Sequence, residues 1–215
     1  MSRKNQVYEY LLEAIISNKI PAGATIVEND ISAELNMSRT PIREALKELE
    51  AEGLVCRYPS IGTVVSQITP HDVEEIFALR ILLEMYALQS SWDKITDEEL
   101  DEVEQLFSNL DLDSSKDAYQ ESDRRLHLLI INKAGNRRLK KFLDLLNSQI
   151  ERFRRVAAFS ATRPEKSKKE HLEIIAFLRK RDLKASEESL KKHLINVRNS
   201  TLEVARLFAM ETNGK

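Results

Sequence analysis

The sequence predicts a mainly α-helical protein in two parts. Gly and Pro number only five each among 215 residues, and so few turn-forming residues favour helices with short connections. Up to residue 68 the pattern is helix, helix, tight turn, helix and two short strands, whereas only helical patterns follow. We therefore predict two domains, one over residues 1–68 and the other over residues 69–215.

Local signals define each element. In the first domain, apolar spacing and capping residues predict helices over 5–18, from Asn29 or Asp30 to Leu35 and from Ser38 or Thr40 to Glu52, with strands over 54–58 and 63–68. The second domain starts with Thr69 as a helix cap and Pro70 in the first turn, where a missing N–H costs nothing. Further breaks between helices are expected near residues 93–96, 111–116, 135–136, 162–165 and 182.

Composition limits the class of protein. The single cysteine excludes an intrachain disulfide and a zinc site built from cysteines. No run approaches the roughly 18 apolar residues that a membrane span needs, and the N-terminus lacks the apolar core of a signal peptide. We therefore expect a cytoplasmic protein with no membrane partner. The net charge of −2 argues neither for nor against nucleic acid, because the direction of the basic side chains decides that question.

The third predicted helix carries a basic stripe. At about 100° per residue, Arg39, Arg43 and Lys47 lie on one side, next to an apolar face. Arginine can donate two hydrogen bonds to a guanine in the major groove, whereas lysine acts more as a charge directed at phosphate. A solvated helix face is the alternative explanation. The helix pair with its tight turn, and a two-stranded wing that carries Gly62, favour a winged helix-turn-helix that binds DNA.

Residues 38–55, SRTPIREALKELEAEGLV, resemble the recognition-helix signature of the GntR superfamily of bacterial transcription regulators. By this resemblance, Ser38, Arg39, Thr40 and Arg43 contact DNA, and Gly62 lets the wing approach the minor groove. The wing segment SIGT contains fewer glycines than the wings of many relatives, so the operator sequence cannot be copied from them.

Three histidines and one aspartate have a spacing that suits a metal site. Asp123 and His127 are one helical turn apart and in register with apolar residues, and burying a charge is costly unless it is paired or bound to a metal. His171 and His193 each lie 11 residues from Asp182, so an antiparallel helix hairpin that turns before Asp182 would bring them side by side. Together the four suit Zn, Ni, Mn or Fe, with an open position for water. The alternative is that each histidine is an ordinary core or surface residue.

The Asp-x3-His pair, the segment AGNRRL at 134–139 and the His-x10-Asp-x10-His spacing resemble the FCD ligand-binding domain, which follows the winged helix in the FadR branch of GntR regulators. The resemblance implies a bundle of six or seven helices around a central cavity. It implies one divalent metal there, with Zn or Ni favoured, held by the four residues named above. In relatives the metal helps to hold a small carboxylate effector, often a sugar acid, hydroxy acid or dicarboxylate. We also expect a homodimer that binds a double-stranded DNA operator.

Arg80 lies among core-facing residues of the first helix of the second domain. One explanation is an ion pair within that helix, with Glu84 at i+4. The other is a clamp for the effector, since guanidinium and carboxylate pair through two parallel hydrogen bonds. The family resemblance favours the clamp.

These observations predict a DNA-binding transcription regulator, not an enzyme, whose operator affinity is controlled by a carboxylate effector at the metal site. A regulator for which the metal itself is the signal is one alternative, and it would need no Arg80. A metal-dependent hydrolase is another, although the sequence has no HExxH motif and no general base placed by a motif. An architectural DNA binder would not need a metal cavity.

Overall fold

The computed structural model describes residues 1–110, 116–157 and 163–213. The chain divides into two compact units, one formed by Met1–Ile68 with Leu145–Arg152 and the other by Thr69–Asp144 with Phe153–Lys215. In the described ranges, every helix is too short or too polar to cross a membrane.

The first unit contains three helices and a small antiparallel sheet, which is the winged helix-turn-helix that the sequence predicts. The helices are α1 (Arg3–Ile16), α2 (Glu28–Leu35) and α3 (Arg39–Ala51), and the strands are β1 (Thr25–Ile26), β2 (Val55–Tyr58) and β3 (Gly62–Val65). The strand order is β1-β3-β2. The helices and the sheet enclose one apolar core, whose fully buried members include Val7, Leu11, Ile42, Leu49 and Leu54.

Two details of this unit differ from the sequence-based expectation. Strand β1 was not predicted, because its two residues are recruited by long-range pairing of Thr25 with Val64 rather than by a local pattern. Helix α2 begins at Glu28, with Val27 in the cap position, rather than at Asn29 or Asp30. Boundary shifts of this size are common, because helix ends depend on a single turn of hydrogen bonds.

The second unit is helical throughout its described part, as predicted. Its helices are α4 (Pro70–Ser91), α5 (Asp97–Ser108), α6 (Lys116–Lys133), α7 (Arg137–Ala157), α8 (Arg163–Arg179) and α9 (Leu183–Asn213), except that the middle of α7, Leu145–Arg152, belongs to the first unit. A single apolar cluster joins α4, α5, α6, α8 and α9, with Leu88, Leu100, Leu126, Ile174 and Leu194 fully buried.

Helix ends in the second unit follow the predicted signals. Thr69 and Asp72 form a reciprocal capping box at the start of α4, and Pro70 is the first helical residue. The predicted breaks near 93–96, 135–136 and 182 fall between observed helices. The other two, near 111–116 and 162–165, lie partly outside the described residues.

Candidate metal centre and DNA-binding surface

The four side chains selected from the sequence lie together in the core of the second unit. Asp123 and His127 come from α6, His171 from α8 and His193 from α9, and one ligand atom from each lies within 4.8 Å of all the others. All four side chains are buried. A buried cluster of one carboxylate and three imidazoles matches the donor types of divalent transition-metal sites.

Local sequence explains how these residues meet. Asp123 and His127 are separated by four residues on α6, so they share one face of the helix. Helices α8 and α9 form an antiparallel hairpin, and Asp182 caps α9 by accepting a hydrogen bond from the Ala185 N–H at 3.0 Å. The His171 and His193 rings come to lie with their centroids 4.2 Å apart. The predicted hairpin therefore brings the two histidines side by side.

His127 is oriented by Glu84 of α4. The Nδ1 atom of His127 lies 2.5 Å from Glu84 Oε2. Burial lowers the pKa of His127, so the ring is neutral and its Nδ1–H donates to the carboxylate. Burial would raise the pKa of Glu84, but the charge of Arg80 and the hydrogen bonds from His127 and Arg80 outweigh it and hold that pKa well below its usual range. The bond leaves His127 Nε2 as the nitrogen available to a metal.

His193 is oriented in the same way by Glu170 of α8. Its Nδ1 lies 2.8 Å from Glu170 Oε2, and its buried Nε2 has no hydrogen-bond partner in the described part of the chain. Burial, followed by repulsion from His171, lowers the pKa of His193 well below the usual value. The imidazole is therefore neutral at physiological pH, as a metal ligand must be.

Glu170 is in turn held by Arg163 and Asn196. Arg163 Nη1 donates to Oε1 at 3.0 Å and Nη2 donates to Oε2 at 2.5 Å, while Asn196 Nδ2 donates to Oε1 at 2.7 Å. Burial alone would raise the pKa of Glu170, but the hydrogen bonds from His193 and Arg163 lower it to about 2. Glu170 is therefore an ionised carboxylate, and hydrogen bonds to both of its oxygens hold it in place.

His171 completes the set. Its Nδ1 lies 3.4 Å from Ser167 Oγ, one turn earlier on α8. Its Nε2 lies 3.2 Å from Asp123 Oδ1, without the geometry of a hydrogen bond. The ring stacks on Phe107, with centroids 4.7 Å apart, which limits its rotation.

The donor set fits a divalent metal. The Nδ1 atoms of His127, His171 and His193 are all engaged by neighbouring oxygens, so each ring directs Nε2 to the cluster. The Nε2 atoms of His171 and His193 are buried without a hydrogen bond among the residues described. An unsatisfied buried polar atom costs about 1–3 kcal/mol. A cation at this point would remove that cost and balance the Asp123 carboxylate.

Arg80 lies at the edge of this cluster and is fully buried. It makes the i+4 ion pair with Glu84 that was considered from the sequence, with Nε 2.6 Å from Oε1. The other two nitrogens of the guanidinium make fewer contacts. Nη2 lies 3.5 Å from His127 Nε2, and Nη1 has no hydrogen-bond partner within the described ranges. The ion pair and a role towards a ligand are therefore compatible.

In the first unit, α3 separates its apolar and basic faces as predicted. Ile42, Ala45, Leu46 and Leu49 are buried, whereas the residues expected at the DNA are exposed, namely Ser38, Arg39, Thr40, Arg43 and Lys47. Ser38 occupies the cap position of α3, but its side chain makes no capping hydrogen bond. Its hydroxyl is therefore not used within the helix.

Gly62 opens β3 at the tip of the wing. Its φ is +95°, a conformation that side-chain-bearing residues rarely adopt. A Cβ at this position would meet no atom within 4 Å, so glycine is required by the backbone and not by crowding inside the chain. The open space leaves the wing backbone accessible.

Four residues of these two sites were not selected from the sequence. Glu84 and Glu170 orient histidines, and Arg163 holds Glu170. Glu28 of α2 accepts a hydrogen bond from Arg43 Nε at 2.8 Å. Glu84 was considered from the sequence as the i+4 partner of Arg80, but its contact with His127 was not. Arg163 lies two turns before Glu170 on α8, whereas His193 and Arg43, which contact Glu170 and Glu28, lie on other helices. The segments that contain these residues are rich in charged side chains, a pattern that is typical of solvent-exposed positions.

Two family descriptions match the chain. "Bacterial regulatory proteins, gntR family" matches residues 3–65, and "FCD domain" matches residues 75–196. Among similar proteins, the "Uncharacterized HTH-type transcriptional regulator YdhC" of Bacillus subtilis is 29% identical over 196 residues, covering 87% of this chain and 86% of that protein. The "HTH-type transcriptional repressor RspR" of Escherichia coli is 26% identical over 202 residues, covering 93% and 89%.

Solved structures agree with the fold. A GntR transcriptional regulator from Rhodococcus sp. RHA1 superimposes with a TM-score of 0.80 at 21% identity, covering 94% of this chain and 99% of that one. The Zn²⁺-bound FCD domain of TM0439 is 27% identical with a TM-score of 0.57, covering 64% of this chain and 96% of that one. The same FCD domain is also known in a metal-free form.

Proposed function

Because the chain belongs to the GntR family of bacterial regulators, in the branch that carries an FCD domain, we propose that a small carboxylate bound beside a divalent metal controls its affinity for operator DNA. By its family and its relatives, the chain is a transcriptional regulator. Its relatives and families are not enzymes, which removes the hydrolase alternative. We place its action in the cytoplasm, where its DNA target lies.

The observation that carries the metal proposal is the buried cluster of Asp123, His127, His171 and His193. Three imidazoles with engaged Nδ1 atoms and inward Nε2 atoms form a set of neutral donors, and Asp123 supplies one negative charge. A bound divalent ion would supply a Lewis-acidic position for an effector oxygen. The zinc-bound relative supports Zn, and the donor types are also those of Ni, Mn and Fe sites.

Arg80 supports a carboxylate as the effector's chemical group. Glu84 uses Arg80 Nε, and a metal on His127 Nε2 would release Nη2 from its contact with that nitrogen, so the edge of the guanidinium formed by Nη1 and Nη2 would then serve a ligand. That edge lies beside His127 Nε2, at 3.5 Å from Nη2. This position favours a carboxylate shared between the metal and Arg80 over a second carboxylate held by Arg80 alone. The unpartnered Nη1 also favours this function over a regulator that responds to metal alone, which needs no Arg80.

We propose that α3 and the wing contact the operator. Arg39 and Arg43 at the start of α3 are exposed and would reach base edges, as recognition helices do. Lys47, one turn later, would approach phosphate, and Ser38 and Thr40 would add hydroxyl contacts. Gly62 would let the wing approach the minor groove. Replacing Arg43 with Ala should cost on the order of 1–3 kcal/mol at the operator, whereas replacing Lys47 should weaken binding to all sequences more evenly.

A homodimer is supported by an exposed apolar face on α4. Leu79, Leu82 and Tyr86 are spaced by three and four residues, so they share one face of the helix, and each is at least 49% exposed. Apolar side chains grouped in this way mark protein interfaces more often than isolated ones do. Two identical chains joined through this face would read a short palindrome, because a two-fold dimer presents two equivalent recognition helices.

Metal content tests the proposal. His171→Ala and His193→Ala should lower the metal content and the melting temperature together, because a metal that binds only the folded state adds to its stability. His71→Ala is the control, since His71 is exposed and pairs only with Glu75 among the described residues. Elemental analysis that finds full metal occupancy in both site variants would exclude this metal site.

Effector control requires a second experiment. Sugar acids, hydroxy acids and dicarboxylates are screened by thermal shift on the metal-loaded chain, with chelator-treated chain as the control, and hits are tested for release of DNA. A ligand must differ in its affinity for the DNA-competent and DNA-incompetent forms to cause release. If no carboxylate shifts the melting temperature while a divalent metal alone releases DNA, the metal-responsive alternative replaces the proposal.

A further inference from the structure

Glu28 lies between two cations on the face of the first unit that is proposed to meet DNA. Its Oε2 accepts a hydrogen bond from Arg43 Nε of α3 at 2.8 Å, and its Oε1 lies 3.5 Å from Arg57 Nη2 of β2. The Glu28 side chain is 21% exposed, compared with 55% for Arg43. The better-packed carboxylate is therefore the fixed partner, and the arginine is the side chain that it positions.

The contact uses only part of the Arg43 guanidinium. That group carries five N–H donors, one on Nε and two on each Nη. Glu28 takes the Nε donor and leaves the edge formed by Nη1 and Nη2, which can give two parallel hydrogen bonds to a guanine. A side chain held in this way loses less conformational entropy on binding to a base. Glu28 thus orients Arg43 without consuming the donors that read sequence.

The charge of Glu28 acts in a second way. Contacts to phosphate attract a protein to every DNA sequence, and their number sets the dependence of affinity on salt. A carboxylate beside Arg43 and Arg57 reduces the net positive charge at this face, so it weakens attraction to phosphate whatever the sequence. A correctly placed guanine offsets this weaker attraction to phosphate through the two hydrogen bonds to Arg43, whereas a wrong base does not.

We propose that Glu28 is a specificity-determining residue, which positions Arg43 for base contact and lowers the affinity for non-cognate DNA. This inference rests on the proposed contact of Arg43 with the operator. A simpler structural role also exists, because Glu28 and Asp30 are both acidic residues in the first turn of α2, where negative charge stabilises the helix. Asp30 is exposed and, in the described part of the chain, makes no ion pair with either arginine. It therefore serves as a matched control.

The experiment compares Glu28→Gln with Asp30→Asn, since each removes one charge from the same helical turn with little change of shape. The cognate duplex is the one that the wild-type chain selects from a random-sequence pool, and the non-cognate duplex is a scrambled sequence of equal length. Dissociation constants for both are measured by fluorescence anisotropy over a range of salt concentrations. Melting temperatures of both variants are recorded, so that any loss of folding is seen.

For Glu28→Gln we expect tighter binding to the scrambled duplex. The ratio of the dissociation constant for the scrambled duplex to that for the cognate duplex should fall about fivefold or more, which is the lower end of what one bidentate arginine–guanine pair contributes to discrimination. For Asp30→Asn the ratio should stay at the wild-type value. Adding Arg43→Ala to Glu28→Gln should reduce the ratio no further than Arg43→Ala alone does, because Glu28 acts through Arg43.

Two results would overturn the inference: an unchanged ratio in Glu28→Gln, or an equal fall in Glu28→Gln and Asp30→Asn. The single variant Arg43→Ala shows whether the role of Glu28 or the DNA contact of Arg43 itself is wrong. If Arg43→Ala lowers the ratio and Glu28→Gln does not, only the role of Glu28 is wrong. If Arg43→Ala leaves the ratio unchanged, the contact itself is wrong, and the inference falls with it.

Discussion

Replacing Glu170 with Gln tests how the candidate metal centre is supported. Glutamine keeps the shape of the side chain but removes its negative charge. In the wild type, this carboxylate pairs with Arg163 and accepts a hydrogen bond from His193. Removal of one partner of a buried ion pair costs about 3–5 kcal/mol. Because the Glu170 side chain retains 12% exposure, we expect the lower end, about 3 kcal/mol. For a chain of this size, that loss corresponds to a melting temperature lower by about 6–12 °C.

The loss should depend on pH. The pKa of Glu170 is lowered from 4.5 to about 2, since the hydrogen bonds from His193 and Arg163 outweigh the effect of burial. A carboxyl group whose pKa is depressed in the folded state contributes stability that is fully present above its unfolded pKa and is lost as the pH falls through its folded pKa. The difference between wild type and Glu170→Gln should therefore be full at neutral pH and narrow as the pH falls from 4.5 towards 2.

Thermal unfolding followed by circular dichroism measures this loss, once with chelator and once with added zinc. The chelator series isolates the ion pair, and the zinc series adds the effect on His193. Residues that orient a metal-bound histidine typically contribute about 10- to 100-fold to metal affinity, so zinc should bind Glu170→Gln more weakly by that order. Glu173→Gln is the control, because Glu173 lies on the same helix but is exposed, and its ion pair with Lys192 is 3.9 Å long.

If Glu170→Gln melted within about 2 °C of the wild type in chelator, a difference of less than about 1 kcal/mol, the ion pair between Glu170 and Arg163 would not stabilise the fold as proposed. Arg163 would then be stabilised without Glu170. A lower melting temperature with unchanged zinc affinity would mean that the ion pair stabilises the fold, but that Glu170 does not orient His193 for metal binding.

Further predictions concern three other sites. Arg80→Lys should keep a cation for Glu84 and the metal content but raise the effector concentration needed to release DNA in an anisotropy titration; an unchanged response would mean that Arg80 serves Glu84 alone. Leu82→Glu should turn a dimer into a monomer by light scattering, while Leu106→Glu on α5 should not, and a dimeric Leu82→Glu would place the interface elsewhere. Asp182→Ala should lower the free energy of unfolding by about 1 kcal/mol through loss of the α9 cap, and equal denaturant midpoints would argue against the cap.

Each of the two pairs of candidate ligands could be predicted because it depends on short-range regularities, whereas the meeting of the two pairs was expected from the resemblance to the FCD domain. Asp123 and His127 need only the helical period. His171 and His193 need a helix hairpin whose turn lies midway between them, and Asp182 marks that turn by its capping ability. These signals survive without knowledge of the rest of the fold. Binding of a metal by this set stays a prediction until metal content is measured.

The residues that support the site could not be predicted in the same way. Glu170 follows a run of charged residues at the start of α8 and resembles a solvated position, and its partner Asn196 lies on another helix. Glu28 meets Arg43 across two helices, and neither segment indicates the pair. Strand β1 depends on pairing with β3, about 40 residues later. Contacts between distant segments depend on packing, which periodicity does not report.

The hairpin of α8 and α9 has a consequence for folding. Buried Ile174 and Leu178 on α8, and Leu190 and Leu194 on α9, recur at intervals of four, so apolar packing alone would tolerate a slip of one helical turn. Such a slip moves His193 by about 5.4 Å along its neighbour, which exceeds the 4.8 Å within which the four ligand atoms lie of one another. A metal would therefore bind only when α8 and α9 pair in the correct register. The metal content of refolded protein would then measure the fraction of chains in which this hairpin is correctly paired.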